Sequence, residues 1–219
     1  PKFQEVFGHT IVELAEKNAD KQIEPASITK LMTAYVIYKE LAKGSISVED
    51  KVLISKKAWK MEGSRMFVEA GKKVVLNRML HGLIVQSGND AAVALAEHIS
   101  GSEAAFVAKM NEHAVALKMN STQFQNSTGW PAENPYTTAR DIVILTRAVI
   151  NEFPTYYKLH ALKEYTYNGI KQYNRNKLLW RDDTVDGVKT GHTESAGYCL
   201  VSSALRNDMR LISVVLGAE

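Results

Sequence analysis

Cysteine is almost missing from this chain. Its 219 residues include only Cys199, so no internal disulfide can form. Cys199 lies in the apolar run Gly197-Tyr-Cys-Leu-Val201 and reads as a small buried hydrophobe. No stretch approaches the ~20 apolar residues of a membrane span, and there is no leader of the export type. The chain begins at Pro1 without an initiator methionine and reads as a processed or trimmed form. Charge of one sign is not in excess. Lys and Arg number 27 against 24 Asp and Glu, a net +3. The short pairs Lys56-Lys57 and Lys72-Lys73 read as solvated surface, which excludes a phosphate-tracking face and hence a nucleic-acid partner. No two histidines have the His-x-x-x-His spacing of a metal pair. His9, His81, His98, His113 and His160 are scattered, and the acidic residues form no paired constellation. No metal and no cofactor is implied. What remains is ordinary globular composition, 45% hydrophobic and 23% charged, enough for one large domain or two small ones.

Along the chain there is no internal repeat and no low-complexity segment. Residues 10–16 read as a short strand. Pro25 precedes a long apolar stretch that reads as a helix over 27–42, ending at Gly44. Leu31, Met32, Tyr35, Val36, Ile37, Tyr38 and Leu41 cover most of its circumference, the mark of a buried central helix. Apolar residues at helical spacing predict further helices over 75–85, 89–99, 103–117 and 138–150, the last with a capped start at Thr137-Thr138. From 160 onward the pattern turns to strands. Glu164–Tyr167 and Ile170–Tyr173 flank Asn168-Gly169, the strongest two-residue hairpin signal. Val185–Thr190, Tyr198–Leu205 and Arg210–Leu216 read as three more strands, with Asn207-Asp208 turning between the last two. The expectation is an α+β fold: residues 1–44 and 160–219 form an antiparallel sheet with packed helices, 45–159 form an inserted helical lobe, and a cleft lies between them.

Three blocks carry chemistry. In Ser27-Ile-Thr-Lys30 a hydroxyl and an amine stand one helical turn apart, so the side chains can touch. The serine lies in the first turn, where free backbone N–H groups favour developing negative charge. The lysine lies in apolar surroundings that ease loss of its proton. The pair is a nucleophile with its own base. Alone the spacing arises about once by chance in a chain this long. Ser87-Gly-Asn89 sits between two predicted helices and offers a proton-relaying hydroxyl beside a carboxamide able to hold a peptide group. Alone it would be an ordinary capped turn. Lys189-Thr-Gly191, expected at the end of a strand, is rarer, found by chance in roughly a few chains per hundred. An edge strand there can dock an extended substrate. Gly191 permits close approach, and Lys189 and Thr190 can bind a carboxylate. The three together, in this order and in these elements, point to acyl transfer through a serine.

These blocks resemble those of the low-molecular-mass serine D-alanyl-D-alanine carboxypeptidases, the penicillin-binding protein 5 and 6 group of peptidase family S11. The similarity extends through Pro25-Ala-Ser-Ile-Thr-Lys-Leu-Met-Thr33, Gln86-Ser-Gly-Asn-Asp90, Tyr173-Asn-Arg-Asn176 with Leu178-Leu-Trp180, and Val185-Asp-Gly-Val-Lys-Thr-Gly-His-Thr193, covering about residues 16–217. The resemblance implies the penicillin-recognising serine transpeptidase and β-lactamase-like fold. It implies that Ser27 attacks the carbonyl between the two terminal D-alanines of a peptidoglycan stem peptide, with Lys30 as base. The backbone N–H groups of Ser27 and His192 would form the oxyanion hole. Ser87 would pass a proton to the leaving D-alanine, and Asn89 would hold the substrate amide. Lys189, Thr190 and Thr193 would hold the terminal carboxylate, with Arg175 in support. A β-lactam would acylate Ser27 and stay. The implied location is periplasmic or otherwise extracytoplasmic.

Two departures stand out. Residues 1–10 do not match the family's lead-in, so a shortened strand pair is expected there. The chain also stops at Glu219, where family members continue into a closing helix, a β-rich domain and an amphipathic membrane anchor, so membrane attachment would need segments this chain lacks. Three rivals share some blocks. A class A β-lactamase normally has Ser-Asp-Asn in place of Ser87-Gly-Asn89 and a deacylating glutamate, and no Glu-x-x-x-Asn block supplies one. A related D,D-endopeptidase shares all three blocks, but the fuller match over 173–193 favours the carboxypeptidase. A non-catalytic penicillin-recognising sensor has no use for an intact base.

Overall fold

The computed structural model describes residues 3–6 and 9–219. Two four-residue strands, β1 (Phe3–Val6) and β2 (His9–Val12), form an antiparallel hairpin. The strand expected over 10–16 thus ends at Val12. The reason lies just beyond it: Glu13, Glu16 and Asp20 are gathered by the Arg140 guanidinium at 3.0, 2.5 and 2.7 Å, which fastens this segment to a distant helix.

The central helix α1 (Thr29–Lys43) is preceded by a 3-10 turn over Ala26–Ile28, so Ser27 lies in that turn and not in the α-helix proper. The helix ends as the sequence predicts. Gly44 takes the left-handed conformation at φ +72°, and its N–H caps the Glu40 and Leu41 carbonyls. Residues 28–38 are all buried, because α1 touches helices on several sides. These are α3 (Leu76–Val85), α4 (Asn89–Ser100), α5 (Glu103–Ala116) and α6 (Ala139–Glu152). Thr138 caps α6 by accepting from the Asp141 N–H, and Ser102 caps α5 in the same way. Sequence periodicity does not announce the short elements: α2 (Lys56–Trp59), the pair β3 (Lys51–Leu53) with β4 (Lys73–Val75), α7 (Pro154–Tyr157) and α8 (Leu178–Arg181). Three or four residues are too few to show a period.

The hairpin β5 (Glu164–Tyr167) and β6 (Ile170–Tyr173) has its predicted bounds and turns at Asn168-Gly169, both at positive φ. The main sheet runs β7 (Val185–Thr193), β8 (Gly197–Arg206), β9 (Met209–Ala218), all antiparallel, with β7 at the edge. Asn207 and Asp208, at φ +48° and +61°, turn β8 into β9. The sheet lies beside α6 through β9 and against the 3-10 turn of Ser27 through β7. No described helix is long and apolar enough to cross a membrane.

Candidate active site

The site is built where β7, the start of α1 and the junction of α3 and α4 converge. Ser27 is half-buried, while Lys30 is fully buried. Lys30 Nζ stands 3.1 Å from Ser27 Oγ and donates to the Thr128 carbonyl at 2.6 Å. Among the described residues no carboxylate forms an ion pair with it, and Asp90 acts on it only as a more distant charge. Burial first, then the nearby Lys189 and Arg175 charges, hold its pKa well below the ordinary lysine value. In its neutral form this amine, with one N–H committed to Thr128, has its lone pair available for the Ser27 proton.

The Thr128 carbonyl is held by a loop absent from the three sequence blocks. Asn126 Oδ1 accepts from the Thr128 N–H and hydroxyl and from the Gly129 N–H. Thr33, one turn after Lys30, donates to the Ser127 carbonyl at 2.7 Å. Gly129, at φ +76°, presses against the residue before Ser27, where a Cβ would lie 1.7 Å from the Ala26 carbonyl oxygen. Ala26 itself sits at φ +45°, a conformation a non-glycine residue holds only where its surroundings enforce it. The Asn126 and Gly129 turn residues were the available sequence signal, but a backbone carbonyl has no sequence signature.

Ser87 is a second strained residue, at φ +57°. Its hydroxyl is buried and has no hydrogen-bond partner among the described residues. Asn89 opens α4, and its Nδ2 donates to the Glu62 carbonyl at 2.7 Å while its N–H donates to the Ser64 carbonyl at 2.7 Å. Asp90 is 1% exposed and takes four backbone donors: Met66 and Ala91 on Oδ1, Phe67 and Val68 on Oδ2. This carboxylate fastens the 62–68 loop beside Asn89, and sequence reading did not single it out.

On the opposite wall, Lys189-Thr-Gly191 lies within β7, which runs on through Thr193. The strand end expected at Thr190 is therefore corrected to Thr193. The glycine does not end the strand but lets it pass Ser27: a Cβ there would be 3.1 Å from the Ser27 nitrogen and 3.2 Å from that of Ile28. Lys189 is 4% exposed, donates to the Thr190 carbonyl at 2.7 Å, and is brought down to about 7 by burial and then by Arg175. Thr190 is half-buried. His192 is exposed and packs on Tyr198 with ring centroids 4.3 Å apart. Thr193 turns toward the β7–β8 connection, where its Oγ1 accepts from the Ala196 N–H. Arg175 is exposed. The loop carrying it is fixed by Asn176, which is buried, donates to the Gly187 carbonyl at 2.9 Å and accepts from the Leu178 N–H.

Beneath β7 lies His160, also fully buried. The Val188 carbonyl can only accept, so Nδ1 of His160 carries the proton at 3.0 Å, and Nε2 accepts from the Tyr38 hydroxyl at 3.3 Å. Burial lowers this histidine to about 4 and keeps it neutral. It ties the residue before Lys189 to α1. Cys199 is buried and its thiol pushed up by burial. Among the described residues no group of three or more His, Cys, Asp or Glu is placed to hold a metal ion.

Comparison with known proteins places this arrangement. The family described as D-alanyl-D-alanine carboxypeptidase matches residues 10–219. The chain is 46% identical over 213 residues to D-alanyl-D-alanine carboxypeptidase DacC of Escherichia coli, covering 94% of this chain and 53% of that protein. It thus spans about half the length of such curated relatives. Penicillin-binding protein 5 of Haemophilus influenzae superposes with a TM-score of 0.91 at 44% identity, over 96% of this chain and 62% of the other. Penicillin-binding protein D2 of Listeria monocytogenes, in its ampicillin-bound form, gives 0.85 at 29% identity, over 96% and 85%.

Proposed function

This chain belongs to the D-alanyl-D-alanine carboxypeptidase family, and we propose that it removes the terminal D-alanine of peptidoglycan stem peptides through an acyl-enzyme on Ser27. The single observation that carries the reading is the Lys30 amine, buried, ion-paired with no carboxylate among the described residues, and 3.1 Å from Ser27 Oγ.

Ser27 Oγ gives its proton to Lys30 Nζ as it bonds to the carbonyl carbon of the penultimate D-alanine. The oxyanion develops where β7 passes the 3-10 turn, facing the N–H groups of Ser27 and His192. Preorganised donors of this kind contribute several kcal/mol, because they need no reorientation during the reaction. Collapse of the intermediate breaks the peptide bond. The leaving amine takes a proton through the Ser87 hydroxyl, supplied by Lys30 or Lys189. Asn89 keeps an N–H and its carbonyl oxygen for the substrate amide. Lys189 and Thr190 hold the terminal carboxylate. Arg175 contributes its charge, and Thr193 adds a hydroxyl at the far end. Water then hydrolyses the ester and regenerates Ser27.

A β-lactam presents the same carbonyl and carboxylate, but its leaving nitrogen stays tethered, so the acyl-enzyme persists. The substrate places the enzyme outside the cytoplasm. Incubation with diacetyl-L-lysyl-D-alanyl-D-alanine tests the reading by assay of free D-alanine. Release that is lost in Ser27→Ala supports it. No release from this peptide, with cleavage of a crosslinked dimer, would make the chain an endopeptidase instead.

A further inference from the structure

Close to Asn89 stands a large aromatic side chain that none of these steps uses. Trp130 is 40% exposed. Lone exposed hydrophobics are common on protein surfaces and need no explanation, but this one is held in place. Its carbonyl accepts from Asn126 Nδ2 at 2.8 Å and its N–H donates to the Thr128 hydroxyl at 2.9 Å. It therefore belongs to the same loop that holds Lys30 through the Thr128 carbonyl. Its ring edge packs on Gly63, where a Cβ would meet indole Cζ3 at 2.6 Å and Asn89 Nδ2 at 3.1 Å. Gly63, at φ +74°, thus lets the indole and the Asn89 amide both come within about 3 Å of one point. A carboxamide that holds a peptide group, next to a fixed aromatic surface, is the usual composition of a side-chain subsite.

We propose that Trp130 is a specificity-determining residue on the acyl side of the cleft, favouring acyl donors that carry an aromatic or long methylene group next to the amide held by Asn89. The subsite rests on the acyl-transfer reading above. The backbone of the 126–130 loop is bonded independently of the indole, so changing the ring leaves the hold on Lys30 in place.

The test compares second-order acylation rate constants for benzylpenicillin and 6-acetamidopenicillanic acid. The two share the β-lactam, the carboxylate and the side-chain amide and differ in the phenyl ring. A ring contact of this kind predicts a wild-type ratio of about five- to tenfold in favour of benzylpenicillin. Trp130→Ala brings the ratio close to one, and Trp130→Phe keeps most of it. A ratio unchanged in Trp130→Ala overturns the proposal, including the case where both rates fall together, since that marks a structural role only. If neither penicillin acylates the wild-type protein, the acyl-transfer reading fails and the subsite fails with it.

Discussion

Lys189 gives a prediction in which stability and function oppose each other. The residue is 4% exposed, and its ammonium has one backbone acceptor and lies near Arg175. In the folded chain its pKa is about 7 against an ordinary 10.5. At about 1.36 kcal/mol per pKa unit that gap sets a ceiling of about 5 kcal/mol on the cost of keeping the charge in the fold. Relaxation and water entry reduce such costs, and replacing buried charges by apolar residues of similar size gains about 1–3 kcal/mol. For a chain of this length that is roughly 3–10 °C in Tm. The sign follows from proton binding. The folded pKa is depressed, so below about pH 7 both states hold the proton and the penalty is at its full value. Between about 7 and 10.5 the unfolded state holds more protons, so the wild type gains stability as pH rises. Lys189→Met is therefore expected to melt higher than wild type at pH 6, with the difference shrinking by more than half by pH 9.5. It should also react poorly with penicillin, whose carboxylate loses its cation. Calorimetric melting of both proteins at the two pH values is the assay. A variant that melts lower than wild type at pH 6, or a gap independent of pH, would refute the reasoning.

Other perturbations test other parts of the site. Gly129→Ala must place a Cβ on the Ala26 carbonyl at a left-handed φ; a loss of roughly 2–4 kcal/mol is expected, with penicillin labelling of Ser27 lost well below the melting temperature. Asp90→Ala strips an acceptor from four backbone N–H groups, and unfolding in urea should show a loss of about 2–4 kcal/mol, with new protease cleavage within 62–68. Acylation should rise with pH as Lys30 loses its proton. In Arg175→Gln, removal of a positive charge that depresses Lys30 should move that rise to higher pH; an unmoved profile would remove Arg175 from the electrostatics of the site.

Much of this structure is legible in the sequence, for identifiable reasons. The 164–173 hairpin has its predicted bounds because Asn168-Gly169 supplies both left-handed residues of its turn. The four long helices fall within a residue or two of their periodic patterns, because each buries an apolar face against α1. Gly44 ends α1 as a left-handed cap should. Errors arose where a residue serves a tertiary need. Gly191 reads as a strand terminator until the Ser27 backbone is seen 3.1 Å from its missing side chain. The acidic residues at 13, 16 and 20 show no partner in the sequence because Arg140 lies more than a hundred residues away. The residues of the proposed nucleophile, base and carboxylate-binding strand were visible because side-chain chemistry must be spelled in residue types. The Thr128 carbonyl and the Asp90 clamp on the 62–68 loop were not, because a carbonyl is common to every residue and an aspartate at a helix start reads as a cap.

The central claim is that Ser27 is the nucleophile and Lys30 its neutral base. Intact-mass measurement during incubation with benzylpenicillin tests it most directly, run on wild type, Ser27→Ala and Lys30→Met. The account predicts a long-lived adduct of the full drug mass on the wild-type chain, located by digestion to the peptide containing Ser27. It predicts no adduct in Ser27→Ala and severely slowed labelling in Lys30→Met. An adduct of equal rate in Ser27→Ala, or hydrolysis of the drug by wild type with no adduct at any time, would contradict it.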